Sequence, residues 1–315
     1  MKIVFMGTPD FSVPMLEALH QEYKVNLVVT QPDKFVGRKK ILTESPVKVK
    51  ALELGIEVFQ PRVIRKDYQR ILDIKPDIII TAAYGQIIPA AVIDFPKFGS
   101  LNVHGSLLPK LRGGAPIQRA IKRLHKETGI TIMYMAFKMD SGDIISQETV
   151  EILPTDTSGT LFEKLSFKGV QLLMDTLPSI FKNTNQRTPQ DELLVTYAYN
   201  LKREEEKLNW NLSKQEIDAH VRAFSPQPSC YTTLDSKNIK IHKAVIFECN
   251  NFEKNHGNQE NGRIIKIFKD GIGVKVNNGV IVIKELQIEG KKKQDVTTFM
   301  NGTGRNLIKV DKVFK

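Results

Sequence analysis

The segment Pro76–Thr81, P-D-I-I-I-T, constrains the fold more than any other stretch of the chain. Three consecutive isoleucines leave no polar face, so a strand built from them must be covered on both sides, as in a parallel sheet flanked by helices. The residues before it supply the matching parts. Lys2–Met6 is a short apolar strand ending at Gly7, and Pro9 with Asp10 opens a helix whose Val13, Leu16 and Leu19 share a face. Val25–Thr30 reads as the next strand, Ser45 as the cap of a helix reaching Leu54, Ile56–Phe59 as a strand and Ile64–Ile74 as a helix. Phe98–Val103, Thr131–Tyr134 and Ile144–Ile152 read as further strands, and Ser158–Phe181 as a long closing helix. The expected fold class is α/β, a Rossmann-like parallel-sheet domain over residues 1–184. Only Gly7 stands at the first turn; neither G-x-G-x-x-G nor G-K-[ST] is present, which argues against a dinucleotide or a phosphate-cradling loop.

Residues 185–206 show no sustained period, contain Pro189 and read as a linker. Beyond it, Ile217, Val221 and Phe224 fall at helical spacing. Short strands follow at Cys230–Leu234, Ile239–Ala244, Gly262–Ile267, Gly271–Val276 and Gly279–Leu286. Short strands with glycine turns suggest a small OB-like β-barrel domain over 207–315. That stretch holds 19 Lys and Arg against 11 Asp and Glu, most of the excess in a chain of net charge +11. A basic domain of this kind suits a polyanion, most often nucleic acid, although a merely lysine-rich soluble chain would count the same. Lys291, Lys292 and Lys293, with Lys240, Lys243, Lys266, Lys269 and Arg305, are the candidates for such a face.

A second basic concentration lies in Gln31–Lys50, where Lys34, Arg38, Lys39, Lys40, Lys48 and Lys50 outnumber Asp33 and Glu44. Long loops inside compact domains are usually functional or disordered, and a basic one can order on phosphates. Hydrophobic residues at 41% and charged residues at 26% are those of a soluble globular protein. No apolar run approaches the roughly eighteen residues of a membrane span, and the amino terminus is too short in apolar residues for a signal peptide. A cytoplasmic location is therefore expected. Cys230 and Cys249 are too few for a zinc site or a disulfide framework.

The chemistry concentrates in Asn102–Pro109, N-V-H-G-S-L-L-P, answered by Asp140 in M-D-S-G-D. Asn102 and His104 are two apart, so on a strand they share one face, and Gly105 lets the chain turn where the strand ends. An amide can donate to a developing oxyanion, an imidazole can move a proton near neutral pH, and a carboxylate can orient the imidazole. On residue type alone, a strand-end cap and a hydrogen-bonded interior histidine explain Asn102 and His104 more simply. D-S-G-D is also good turn chemistry in its own right. Tyr84, Gly85, Gln86 and Ile87 follow the P-D-I-I-I-T strand, at the end where open parallel sheets bind ligands, and are candidate lining.

The string N-V-H-G-S-L-L-P-K-L-R-G-G-A-P-I-Q-R-A-I, with T-G-I-T-I-M and M-D-S-G-D-I, resembles the folate-dependent formyltransferases. The likeness extends through K-I-V-F-M-G-T-P-D-F, T-Q-P-D, S-P-V-K, A-A-Y-G-Q-I-I-P, D-T-S-G-T-L and R-A-F-S-P, and so covers almost the whole chain. The resemblance implies formyl transfer from 10-formyltetrahydrofolate, as co-substrate and without a metal, to the amino group of methionyl-initiator-tRNA. An amino sugar nucleotide is the alternative acceptor. It also implies Asn102, His104 and Asp140 as catalytic residues, and Ser106, Leu107, Leu108 and Pro109, with Tyr84, Gly85, Gln86 and Ile87, around the folate. Arg38, Lys39 and Lys40 would meet the acceptor end of the tRNA, and a monomer is expected. Relatives often carry alanine where this chain has Gly114, so that glycine is expected only to loosen its turn.

Overall fold

The computed structural model of the chain describes residues 1–37, 39–248 and 256–315. It divides into two compact units, one of Met1–Pro116, Glu127–Glu151 and Phe162–Asn200, the other of Ile117–Lys126, Ile152–Leu161 and Leu201–Lys315. No described helix is long and apolar enough to cross a membrane.

The first unit is built on one sheet. Its strands are β1 (Ile3–Gly7), β2 (Val25–Val29), β5 (Val58–Phe59), β6 (Ile78–Ala82), β7 (Ser100–His104), β8 (Glu127–Tyr134) and β9 (Ile144–Glu151), ordered β5-β2-β1-β6-β7-β8-β9. The strands from β5 to β7 run parallel, and every residue of β1 and β6 is buried, as an all-apolar strand requires. The parallel pairing extends only that far. Beyond β7 the pairing turns antiparallel, Asn102 facing Met133 and His104 facing Thr131. β8 and β9 are also antiparallel, because only the turn carrying Asp140 joins them. Gly7 is demanded by packing: a Cβ there would sit 2.7 Å from that of Ser12, whose hydroxyl donates to the Ala82 carbonyl at 2.6 Å.

Two local expectations change. The helix read over Ile64–Ile74 forms only at Gln69–Ile74, and the loop Gln31–Lys50 contains a hairpin of β3 (Lys34–Val36) and β4 (Ile41–Thr43). Ser45 does cap the following helix Pro46–Glu53, accepting from the Lys48 N–H at 3.1 Å. Residues 185–200, aperiodic in sequence, are pinned by isolated bridges, Thr188 to Ile144 and Tyr197 to Arg112.

The second unit is antiparallel. Its strands β10 (Cys230–Leu234), β11 (Lys237–Phe247), β12 (Ile264–Phe268), β13 (Gly271–Val276) and β14 (Gly279–Ile288) lie in the order β10-β11-β14-β13-β12. The last residues of the chain join the two edges of that path. Thr233 and Lys315 exchange backbone hydrogen bonds at 2.8 and 2.9 Å on β10, while Phe314 donates to Gly262 and Ile264 to Lys312 beside β12. Those bridges curl the sheet into the OB-like barrel. The helix Lys214–Ala223 packs its Ile217 and Val221 inward and begins with a capping box between Ser213 and Glu216.

Candidate active site

Asn102 and His104 occupy one face at the carboxyl end of β7. His104 is buried, whereas Asn102 and Asp140 are half-buried and within reach of solvent. The Asn102 side-chain amide makes no hydrogen bond among the described residues, which leaves both its N–H donors available.

The imidazole is oriented by the backbone. His104 Nε2 lies 3.1 Å from the Leu111 carbonyl. A carbonyl only accepts, so Nε2 carries the hydrogen and Nδ1 keeps the lone pair. Nδ1 faces Asp140 Oδ2 at 3.8 Å, too far for a hydrogen bond, and the two become a charge pair once the ring takes a proton. The Leu111 carbonyl, rather than the carboxylate, thus sets the tautomer. Asp140 Oδ2 is itself held by the Gly113 N–H at 2.8 Å.

Strain gathers around these groups. Leu111 has φ 62° and Asp140 φ 51°, left-handed conformations that cost a non-glycine residue about 1–3 kcal/mol and persist only where the surroundings impose them. For Leu111 the constraint is Thr196, whose hydroxyl accepts from the Leu111 N–H at 2.9 Å. The neighbouring N–H of Arg112 donates to the Thr196 carbonyl, and Ala198 and Arg112 continue the pairing. Gly113, at φ 126°, lets that strand approach: a Cβ would lie 2.7 Å from the Ala198 carbonyl. At Gly114 a Cβ would fall 2.0 Å from Asn200 Oδ1, the end of a side chain rather than backbone.

The Ser106–Pro109 loop is fastened to β8 and β9. Thr131 Oγ1 donates to the Ser106 carbonyl at 2.7 Å and accepts from the Leu108 N–H at 3.1 Å, while Gln147 Nε2 donates to both Leu108 O and Thr131 Oγ1 at 2.8 Å. Leu108 is buried and Leu107 half-buried against Gly129, so Leu107 is the one positioned to offer an apolar wall. Ser106 is buried and donates to the Lys110 carbonyl.

The Tyr84–Ile87 turn splits by role. The Tyr84 ring lies inside the hydrophobic core with Ile64, Ile71 and Val92, so any contact to a ligand falls to its backbone. Gln86 is occupied structurally, accepting from the Ile64 N–H and donating to the Pro61 carbonyl. Gly85 and Ile87 are exposed. Thr131, Gln147 and Thr196 were missed in sequence, since nothing in composition or period marks a polar side chain that binds a loop's backbone.

Among the basic candidates, Lys39 and Lys40 are exposed at the turn of the β3–β4 hairpin, and Arg38 lies outside the described residues. Lys48 is tied to Asp33 and Glu44, and Lys50 to Glu17 and Glu53, so these two add less positive field than a count suggests. On the second unit Lys240, Lys243, Lys266, Lys269, Arg305 and the run Lys291–Lys293 are all exposed.

Comparison with known proteins gives the family. The Formyl transferase family matches residues 1–177 and its C-terminal domain matches residues 200–304. The chain belongs to the formyl transferase family. It is 46% identical over 309 residues to the methionyl-tRNA formyltransferase of Macrococcus caseolyticus, covering 98% of this chain and 97% of that one. To the methionyl-tRNA formyltransferase of Lysinibacillus sphaericus it is 48% identical, covering 97% of each. In fold it is similar to the N-formyltransferase of Helicobacter canadensis in complex with folinic acid and dTDP-3-aminofucose, at TM-score 0.67, 20% identity and coverage of 90% of this chain and 98% of that one. HypX from Aquifex aeolicus in complex with tetrahydrofolic acid aligns at TM-score 0.65 and 16% identity, with 99% of this chain and 50% of that one.

Proposed function

We propose that the β7 end transfers the formyl group of 10-formyltetrahydrofolate to the α-amino group of methionine esterified to initiator tRNA, with Asn102, His104 and Asp140 as the catalytic set. The observation that carries this reading is the juxtaposition of an amide donor with no partner among the described residues, an imidazole with its lone pair on Nδ1, and a carboxylate 3.8 Å from that nitrogen.

The nucleophile is the substrate's own amine, so neither a protein nucleophile nor a covalent enzyme intermediate is needed. Attack forms the N–C bond and moves the carbonyl π electrons onto oxygen, where Asn102 donates a hydrogen bond. The amine's proton passes to His104 Nδ1, since Nε2 is committed to Leu111. Asp140 stabilises the imidazolium so formed. Collapse breaks the bond from carbon to N10 of the folate, and His104 returns the proton to that nitrogen. Ser106–Pro109, with Gly85 and Ile87, hold the folate. Residues 1–184 carry the chemistry, residues 207–315 bind tRNA as a basic OB-like domain, and 185–206 lie between them; Arg38, Lys39 and Lys40 meet the acceptor end. The chain acts as a monomer in the cytoplasm, where charged tRNA and reduced folate occur together.

The second reading, an amino sugar nucleotide as acceptor, draws support from the fold likeness to the Helicobacter canadensis enzyme. Its acceptor offers no reason for two separate exposed basic surfaces. The test is transfer of labelled formyl from the folate to charged initiator tRNA, to charged elongator Met-tRNA or to an amino sugar nucleotide. Label on initiator tRNA is expected; label on the sugar alone would replace this reading with the second.

A further inference from the structure

Asp140 does not hold its left-handed turn unaided. Gln190 Nε2 donates to the Asp140 carbonyl and to the Gly142 carbonyl, both at 2.8 Å. Its Oε1 accepts from Arg112 Nε at 3.0 Å and Nη2 at 2.9 Å. A guanidinium only donates and a backbone carbonyl only accepts, so this amide has one permitted orientation and spends both hydrogens in it. Arg112 is wholly buried, and its Nη2 also pairs with Glu192 Oε1 at 2.9 Å. The other Glu192 oxygen takes Lys138 Nζ at 2.9 Å, two residues before Asp140. Just past the turn, Ile144 and Thr188 exchange backbone hydrogen bonds at 2.8 and 2.9 Å.

The turn is therefore gripped from two sides by one short segment. Gly113 holds the carboxylate directly, and Arg112 holds the backbone through Gln190. We propose that Gln190, oriented by Arg112, is a positioning residue that sets the Asp140 turn and through it the placement of the carboxylate against His104. The inference rests on Asp140 acting in the transfer, as read above. Its own content is that a residue from the aperiodic stretch 185–206 acts through Asp140 while binding neither substrate.

Two substitutions separate this from a general structural part. Gln190→Met keeps the length and loses every hydrogen bond of the amide. Gln190→Glu keeps an acceptor for Arg112, and so its anchorage, but turns an anionic oxygen toward two carbonyls. Single-turnover formyl transfer and the affinities for formyl-folate and charged tRNA are measured for each, alone and combined with Asp140→Asn. Each variant alone is expected to slow transfer about 10- to 100-fold, the scale of an ångström-level misplacement, with both affinities within about threefold. Combined with Asp140→Asn, neither is expected to slow transfer further by more than about twofold, since the group it positions is already lost. Transfer within about threefold of wild type in both variants, or equal losses in both backgrounds, would overturn the proposal. Asp140→Asn alone at wild-type rate would overturn the reading of Asp140 itself, a distinct result. If Gln190→Met melts below the assay temperature, Gln190→Glu decides alone.

Discussion

Replacing Asp140 by asparagine is the sharpest perturbation of this site. Asparagine is nearly isosteric, and its Oδ1 can still accept from the Gly113 N–H that now meets Asp140 Oδ2 at 2.8 Å, so the turn keeps its anchor. What disappears is the charge facing His104 Nδ1 at 3.8 Å. At an effective dielectric of about 20, opposite unit charges that far apart attract by about 4 kcal/mol. The carboxylate retains some exposure, with 14% of its side chain accessible, so part of that attraction is screened. A loss of about 3–4 kcal/mol in the step that forms imidazolium corresponds to roughly 10²–10³ in rate. Rapid-quench single-turnover transfer of labelled formyl to charged initiator tRNA measures it directly. The folate and tRNA affinities should stay within about threefold, because the charge matters only once the proton has moved. An Asp140→Asn enzyme transferring formyl within threefold of wild type would refute the argument.

Other expectations concern stability and binding. His220 is 4% exposed, with Nε2 unpartnered among the described residues; burial first and the Lys122 charge second push its pKa down to about 4, against a smaller opposing effect of Glu205. The unfolded chain binds that proton below about pH 6.5 and the folded one refuses it until about 4. Stability should therefore fall as pH drops through that window, by on the order of 3 kcal/mol. Denaturant melts at stepped pH should show a shallower fall over this window in His220→Gln. The Tyr84 hydroxyl is buried without a partner among the described residues, so Tyr84→Phe should leave stability unchanged or raise it by up to about 1 kcal/mol; a clear loss in thermal melts would mean the hydroxyl is satisfied. tRNA binding should weaken steeply with salt, and Lys39→Ala with Lys40→Ala should flatten the log–log slope by roughly one unit per lysine. An unchanged slope would take those lysines off the phosphates.

Much of the fold was legible because burial leaves period and composition behind. The unbroken isoleucines of β6 signal two-sided covering, and the glycine-punctuated strands from Cys230 onward signal an antiparallel domain. The closure of that barrel was not legible, since it rests on single backbone bridges from Phe314 and Lys315 to strands far away in sequence. The reversal at β8 was hidden for a similar reason: an apolar strand reads alike in either direction. Asn102, His104 and Asp140 stood out because their residue types are chemical. Their supports did not. Leu111 serves through a carbonyl that every residue possesses, and Gln190 sits in a stretch whose isolated bridges give no periodicity. The burial of the Tyr84 ring was not legible either, because its loop context conceals a ring packed in the core.

The account turns on the Asn102 amide meeting the oxyanion, and one measurement addresses that most directly: single-turnover transfer by Asn102→Ala with tRNA affinity measured in parallel. A loss of about 10²–10³ in rate at nearly unchanged affinity is the predicted result. Near-normal transfer from that variant would contradict it.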